Sequence, residues 1–160
     1  QVFFYEQDHY YLSNFSAFAL YWRGFRFDTS EAAYQWSKFN DGLADDEEVR
    51  RESHATRRAV RLAIHDANSA HEAFKIAENN RALRCGNWDF LKVDVMRGVL
   101  FAKVQQHEYV RRKLLETGDR ELIENSWRDD FWGWGPNRDG HNMLGKLWME
   151  VRAELARARP

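Results

Sequence analysis

Four side chains able to bind a polar ligand or move a proton fall on one side of a single predicted helix. Glu31, Tyr34, Gln35 and Lys38 are spaced by three, one and three residues, which makes them neighbours on an α-helical surface. A carboxylate at a helix N-terminus, with an ammonium about two turns on, makes a polar site. The plainer reading is that Glu31 only caps the helix and Lys38 is a solvated lysine. A second group is Asp129-Asp130-Phe131-Trp132-Gly133-Trp134-Gly135, acidic residues beside an aromatic, glycine-rich loop. Tryptophan faces can stack on a base, and glycines let backbone N–H groups approach phosphate. The plainer reading here is a core tryptophan on an acidic turn.

Asn142 opens the last predicted helix as its N-cap, and a helix start after a glycine loop also attracts anions. Arg50-Arg51, Arg57-Arg58-Arg61 and Arg111-Arg112-Lys113 are basic runs able to grip a nucleic-acid backbone, or else solvated faces paired with Glu47, Glu48 and Glu52. The six histidines show no metal-ligand spacing, and no cofactor motif is present, neither a phosphate-binding P-loop nor a dinucleotide glycine pattern. Cys85 has no nearby histidine and reads as a buried thiol.

The elements that must hold these residues are mostly helical. The sequence has 160 residues and only two prolines. Val2–Tyr5 and Ala17–Trp22 are aromatic, β-prone runs, and Arg23-Gly24 followed by Phe25-Arg26-Phe27 reads as a hairpin. Asp28 with Glu31, and Ser69 with Glu72, have capping-box spacing; the first opens a helix through Phe39. One or two arginine-rich surface helices follow within 45–65, then a helix over 69–78 with Ala70, Ala73, Phe74 and Ala77 on one face. Trp88, Leu91, Val95, Val99 and Ala102 recur at threes and fours, a strong amphipathic helix. A helix at 107–116, a short strand at Leu122–Glu124 and a helix from Asn142 to Ala158, with Leu144, Leu147, Trp148, Val151 and Leu155 inward, complete the reading.

Composition narrows the function classes. Net charge is −1, so no whole-protein basic field exists for coating nucleic acid, although a local basic groove is not ruled out. One cysteine excludes an intrachain disulfide and a cysteine zinc cluster. No apolar stretch approaches membrane-spanning length. No signal peptide is visible, Gln1 in place of Met fits a trimmed N-terminus, and a reducing intracellular compartment, cytoplasmic or nuclear, is expected. Seven tryptophans exceed what a core this size uses, leaving some for ring stacking.

Taken in order, Phe4-Tyr5, Leu12-Ser13-Asn14-Phe15, Thr29-Ser30-Glu31 with Tyr34-Gln35 and Lys38-Phe39, Asn87-Trp88 with Val95-Met96, Ala102-Lys103, Leu114-Leu115 with Thr117-Gly118, Asp129 then Phe131-Trp132-Gly133, Gly140 with Asn142, and Leu144-Gly145-Lys146 then Met149-Glu150-Val151-Arg152 resemble the NADAR (YbiA-like) family over nearly the whole chain. The resemblance implies one α+β, predominantly helical domain over 1–160 with a small N-terminal β-hairpin. It implies cleavage of N-glycosidic bonds of ribose derivatives. Some members hydrolyse phosphoribosylamino-pyrimidine intermediates of riboflavin synthesis; others remove ADP-ribose from modified guanine in nucleic acid. It places Glu31, Lys38, Lys103, Asp129, Trp132 and Asn142 on the family's polar pocket pattern. The expected catalytic residues are Glu31, Asp129 and Lys38, with Glu31 the favoured carboxylate. The expected substrate contacts are Asn14, Tyr34, Trp88, Lys103, Trp132, Gly133, Trp134, Gly140 and Asn142. The expected ligand is ADP-ribose or a ribose phosphate, with ADP-ribosylated DNA as the favoured source, and neither cofactor nor metal is required.

Two departures from the family pattern stand out: the arginine-rich segment 45–66, and Trp134 with Pro136-Asn137-Arg138 in the loop. The first tilts the substrate toward nucleic acid, whose base must be flipped or single-stranded to be reached. Two other readings are a non-catalytic ADP-ribose or NAD binder using the same tryptophans and glycines, and a plain helical interaction module.

Overall fold

In the computed structural model, residues 1–40 and 47–158 are described, and for 47–53 the backbone alone. Arg50, Arg51, Glu47, Glu48 and Glu52 therefore lie outside the described side chains. The fold is α+β and predominantly helical, as expected. It divides into two compact units: residues 17–99, and residues 1–16 with 100–160.

The 17–99 unit begins with the hairpin. Strands β2 (Leu20–Trp22) and β3 (Phe25–Phe27) pair antiparallel, Leu20 opposite Phe27 and Trp22 opposite Phe25. Arg23 and Gly24 both have positive φ, 49° and 86°, as a two-residue hairpin turn requires. Alternation sends Leu20 and Phe27 inward and turns Tyr21 and Arg26 to the other face. Helix α1 (Ser30–Ser37) follows. Its cap is Thr29, whose hydroxyl accepts from the Ala32 N–H at 3.1 Å, and not Asp28, which is exposed and ion-paired to Arg26. Both residues suit a cap; Thr29 is the one whose hydroxyl the first turn's N–H reaches.

Helix α2 (Glu47–His65) is one element, and α3 (Ala70–Asn79) packs against it and against α1. Ser69 caps α3 as predicted, accepting from the Glu72 N–H at 3.0 Å, while the Glu72 carboxylate accepts from Asn68 rather than Ser69. Ala70, Ala73 and Ala77 are buried, while Phe74, predicted on the same face, stays 39% exposed. Helix α4 (Trp88–Gln106) buries Trp88, Val95, Met96 and Val99 within this unit, and Gly98 passes against the Trp22 ring where a Cβ would sit 2.8 Å from it.

In the other unit, β1 (Val2–Phe4) pairs in parallel with β4 (Leu122–Glu124), Val2 opposite Leu122. The remaining elements are a short 3-10 turn at Tyr10–Leu12, the end of α4, α5 (Glu108–Glu116) and α6 (Met143–Arg157). Leu144, Leu147, Trp148 and Val151 are buried on α6, with Leu155 half-buried. Gly145 lies against the Leu122 carbonyl so closely that any Cβ would overlap it. No helix among the described residues is long and apolar enough to cross a membrane.

Candidate active site

Helix α1 is buried along its whole length, which explains its small residues, Ala32, Ala33 and Ser37. Ser37 turns its hydroxyl back to the Ala33 carbonyl at 2.8 Å and receives the Trp22 indole N–H at 2.9 Å. The polar side predicted from spacing is real. Glu31 is only 7% exposed and accepts from Gln35 Nε2 at 2.8 Å across one turn. The Lys38 ammonium sits 5.3 Å from the Tyr34 ring centroid. Tyr34 packs on the buried Trp88 at 5.3 Å between centroids. Lys38's own carbonyl accepts the Cys85 N–H at 2.8 Å, fastening the chain before α4 to the end of α1.

Burial pushes the Lys38 ammonium below its ordinary value, and the Glu31 carboxylate pulls partly the other way. Glu31 is therefore more than a solvated helix cap, since Thr29 does the capping and Glu31 is inside. The four residues, spread over about two helical turns, form a buried acid, amide and phenol with a half-buried amine, and an indole beside the phenol.

The tryptophan–glycine loop is built differently. Asp129 Oδ1 accepts from the Phe131 and Trp132 N–H groups at 2.9 and 2.7 Å, folding the loop onto itself. The N–H groups of Trp134, Gly135, Gly140, His141 and Asn142 donate to protein carbonyls between 2.7 and 3.0 Å. Gly133 and Gly140 are glycines because a Cβ would lie 2.7–3.2 Å from neighbouring atoms, chiefly backbone carbonyls. These glycines serve close backbone packing, and the paired N–H groups form no open phosphate cradle.

Nor is the start of α6 an anion site. The Met143 and Leu144 N–H groups donate to Phe131 and Trp132 carbonyls, each at 3.0 Å. Asn142 does not cap α6 with its side chain, contrary to expectation. It sits at φ 50°, and its amide bridges β4, accepting from the Glu124 N–H at 3.0 Å and donating to the Leu122 carbonyl at 2.9 Å.

Lys103 is completely buried. Its ammonium donates to the Ser13 carbonyl at 3.0 Å and the Ser16 hydroxyl at 2.9 Å, and Trp148 beside it donates to the Leu12 carbonyl. Burial lowers its pKa to about 7. The same 12–16 segment carries Asn14, which is also buried. No cluster of three or more His, Cys, Asp or Glu suited to a metal ion occurs among the described residues.

A model of the NADAR domain matches residues 3–156. The chain belongs to the NADAR domain family. It is 36% identical over 157 residues to an N-glycosidase of Nostoc punctiforme, covering 96% of this chain and 92% of that one. It is 32% identical over 161 residues to a riboflavin biosynthesis protein of Vibrio vulnificus, covering 99% of this chain but only 40% of that longer relative. In structure it is similar to the E. coli protein YbiA solved by NMR, with a TM-score of 0.75, 33% identity, and 98% of this chain and 84% of that one covered.

The departures from the NADAR pattern can now be placed. Trp134 stacks on Phe3 at 5.2 Å, with the rings 16° apart. Of the described basic run on α2, Arg57 is 6% exposed and donates to the Leu83 carbonyl at 2.9 Å, and Arg61 donates to the Phe39 carbonyl at 2.7 Å. Arg58 alone of these three is exposed. Arg57 and Arg61 tie α2 to the chain after α3 and after α1; Arg57 is buried rather than solvated, and Arg61 is half-buried.

Proposed function

We propose that this protein is an N-glycosidase that hydrolyses the bond between a ribose carbon and nitrogen, with Glu31 as its working carboxylate. The observation that carries the proposal is a buried acid, Glu31, held by Gln35 and near the half-buried amine Lys38, in a chain 36% identical to an N-glycosidase over nearly its full length. Breaking a ribose–nitrogen bond builds positive charge on the sugar carbon and ring oxygen. A carboxylate in a water-poor setting stabilises that charge and can activate water. The lowered Lys38 gives up its proton more readily than a surface lysine, which suits protonation of the leaving nitrogen or a hydrogen bond to the ribose. Trp88 backs Tyr34, and we assign it to shaping this site rather than to stacking. In the tryptophan–glycine loop, Trp134 is stacked on Phe3 and Trp132 packs edge-on against Phe131.

The substrate proposed is ADP-ribosylated guanine in DNA. A second reading, a phosphoribosylamino-pyrimidine intermediate, is favoured by two observations. One relative is named a riboflavin biosynthesis protein. Arg57 and Arg61 also bond to backbone carbonyls of the fold, which weakens the sequence ground for preferring nucleic acid. Incubation with ADP-ribosylated guanosine oligonucleotide, free ADP-ribose and the phosphoribosylamino-pyrimidine, followed by mass spectrometry, separates these. Time-dependent release of ADP-ribose from the oligonucleotide, leaving unmodified guanine in the strand, or of ribose phosphate and free aminopyrimidine from the phosphoribosylamino-pyrimidine, supports the enzyme and identifies which substrate it takes. Retention of ADP-ribose without turnover of any substrate makes the protein a reader and overturns the proposal.

A further inference from the structure

Gln35 is 2% exposed, and its two amide ends have unequal fates. The end 2.8 Å from Glu31 must be the N–H₂, because an ionised carboxylate only accepts. The oxygen is thereby turned away from Glu31, and it has no hydrogen-bond partner among the described residues. Leaving a buried acceptor unsatisfied destabilises a fold, and native proteins seldom retain one without a use for it. A second such acceptor in the same unit is Asn87 Oδ1, next to the Trp88 that packs on Tyr34.

We propose that Gln35 is a substrate-contacting positioning residue: its N–H₂ holds Glu31 in place, and its oxygen accepts a hydrogen bond from a hydroxyl or amino group of the ribosyl substrate. This rests on the reading of Glu31 as the working carboxylate. The donor class is a ribose hydroxyl or an exocyclic amine, both of which the two candidate substrates carry. The other charges acting on this end of α1 are Lys38, Glu78 on α3, and Arg81 and Arg84 after it. None of them is altered by changing Gln35.

The test compares Gln35→Met, Gln35→Glu and Glu31→Gln on whichever of the ADP-ribosylated oligonucleotide and the phosphoribosylamino-pyrimidine the wild type turns over. Gln35→Met removes both functions in a similar volume. It is expected to lower kcat/KM by about tenfold or more, with KM raised. Gln35→Glu keeps an acceptor but sets two carboxylates side by side, so one of them holds its proton to higher pH. The acid limb of its kcat/KM profile is expected to move to higher pH, which loss of packing alone would not produce. Wild-type kcat, KM and pH profile in whichever Gln35 variant folds, with Glu31→Gln inactive, overturns the role of Gln35 and leaves the Glu31 reading standing. Wild-type turnover in Glu31→Gln overturns both.

Discussion

Helix α1 and the tryptophan–glycine loop both looked like chemistry in the sequence, yet their polar groups are used in opposite ways. In the loop, Asp129, Asn142 and five backbone N–H groups are bonded to the protein itself, and the glycines are where carbonyls leave no room for a Cβ. In α1, a carboxylate and an amide are kept inside, the half-buried Lys38 amine just after it carries a desolvation cost, and the Gln35 oxygen has no hydrogen-bond partner among the described residues. A scaffold satisfies its polar groups; a site keeps some of them available. On that ground we assign the proposed chemistry to α1 and read the loop as a brace for β4 and α6.

The contrast can be broken most severely at Asn142. Asn142→Ala removes both bonds to β4 and puts alanine at φ 50°. The loss of stability should be about 2–4 kcal/mol, read as a lower denaturant midpoint. A variant as stable as wild type would show that the loop needs no such brace.

Lys103 sharpens the comparison with a smaller effect of definite sign. Its pKa is about 7 folded, below the ordinary 10.5, so between those values the unfolded chain binds more protons. Its burial therefore destabilises most below pH 7, where the ammonium is charged, and stability recovers as pH rises toward 10.5. Wild type should gain about 1–2 kcal/mol relative to Lys103→Met between about pH 6 and 8. Urea unfolding of both proteins across that range measures it. Parallel pH dependences would mean that Lys103 titrates outside the range.

Much of this was legible because it is local. The Arg23-Gly24 turn between aromatic strands, the Ser69–Glu72 cap and the three-and-four spacing from Trp88 each depend on residues close in sequence. So does the Glu31–Gln35–Lys38 face. What was not legible depends on distant partners. The parallel pairing of β1 with β4 joins Val2 to Leu122 across most of the chain. Arg57 and Arg61 read as surface charge until the Leu83 and Phe39 carbonyls are seen to receive them. Gly133 and Gly140 would look the same whether they approached a phosphate or a neighbouring carbonyl. Asn142 has a cap residue's type and position, but its amide goes to β4.

The most direct measurement is turnover and melting temperature side by side for Glu31→Gln and Asp129→Asn. Glu31→Gln should lower kcat by about 100-fold or more while melting as wild type does. Asp129→Asn should weaken the loop's two N–H bonds, melt earlier and keep kcat within about fivefold. Near wild-type turnover in Glu31→Gln, or a loss in Asp129→Asn of equal size with unchanged melting, would contradict the assignment of catalysis to α1.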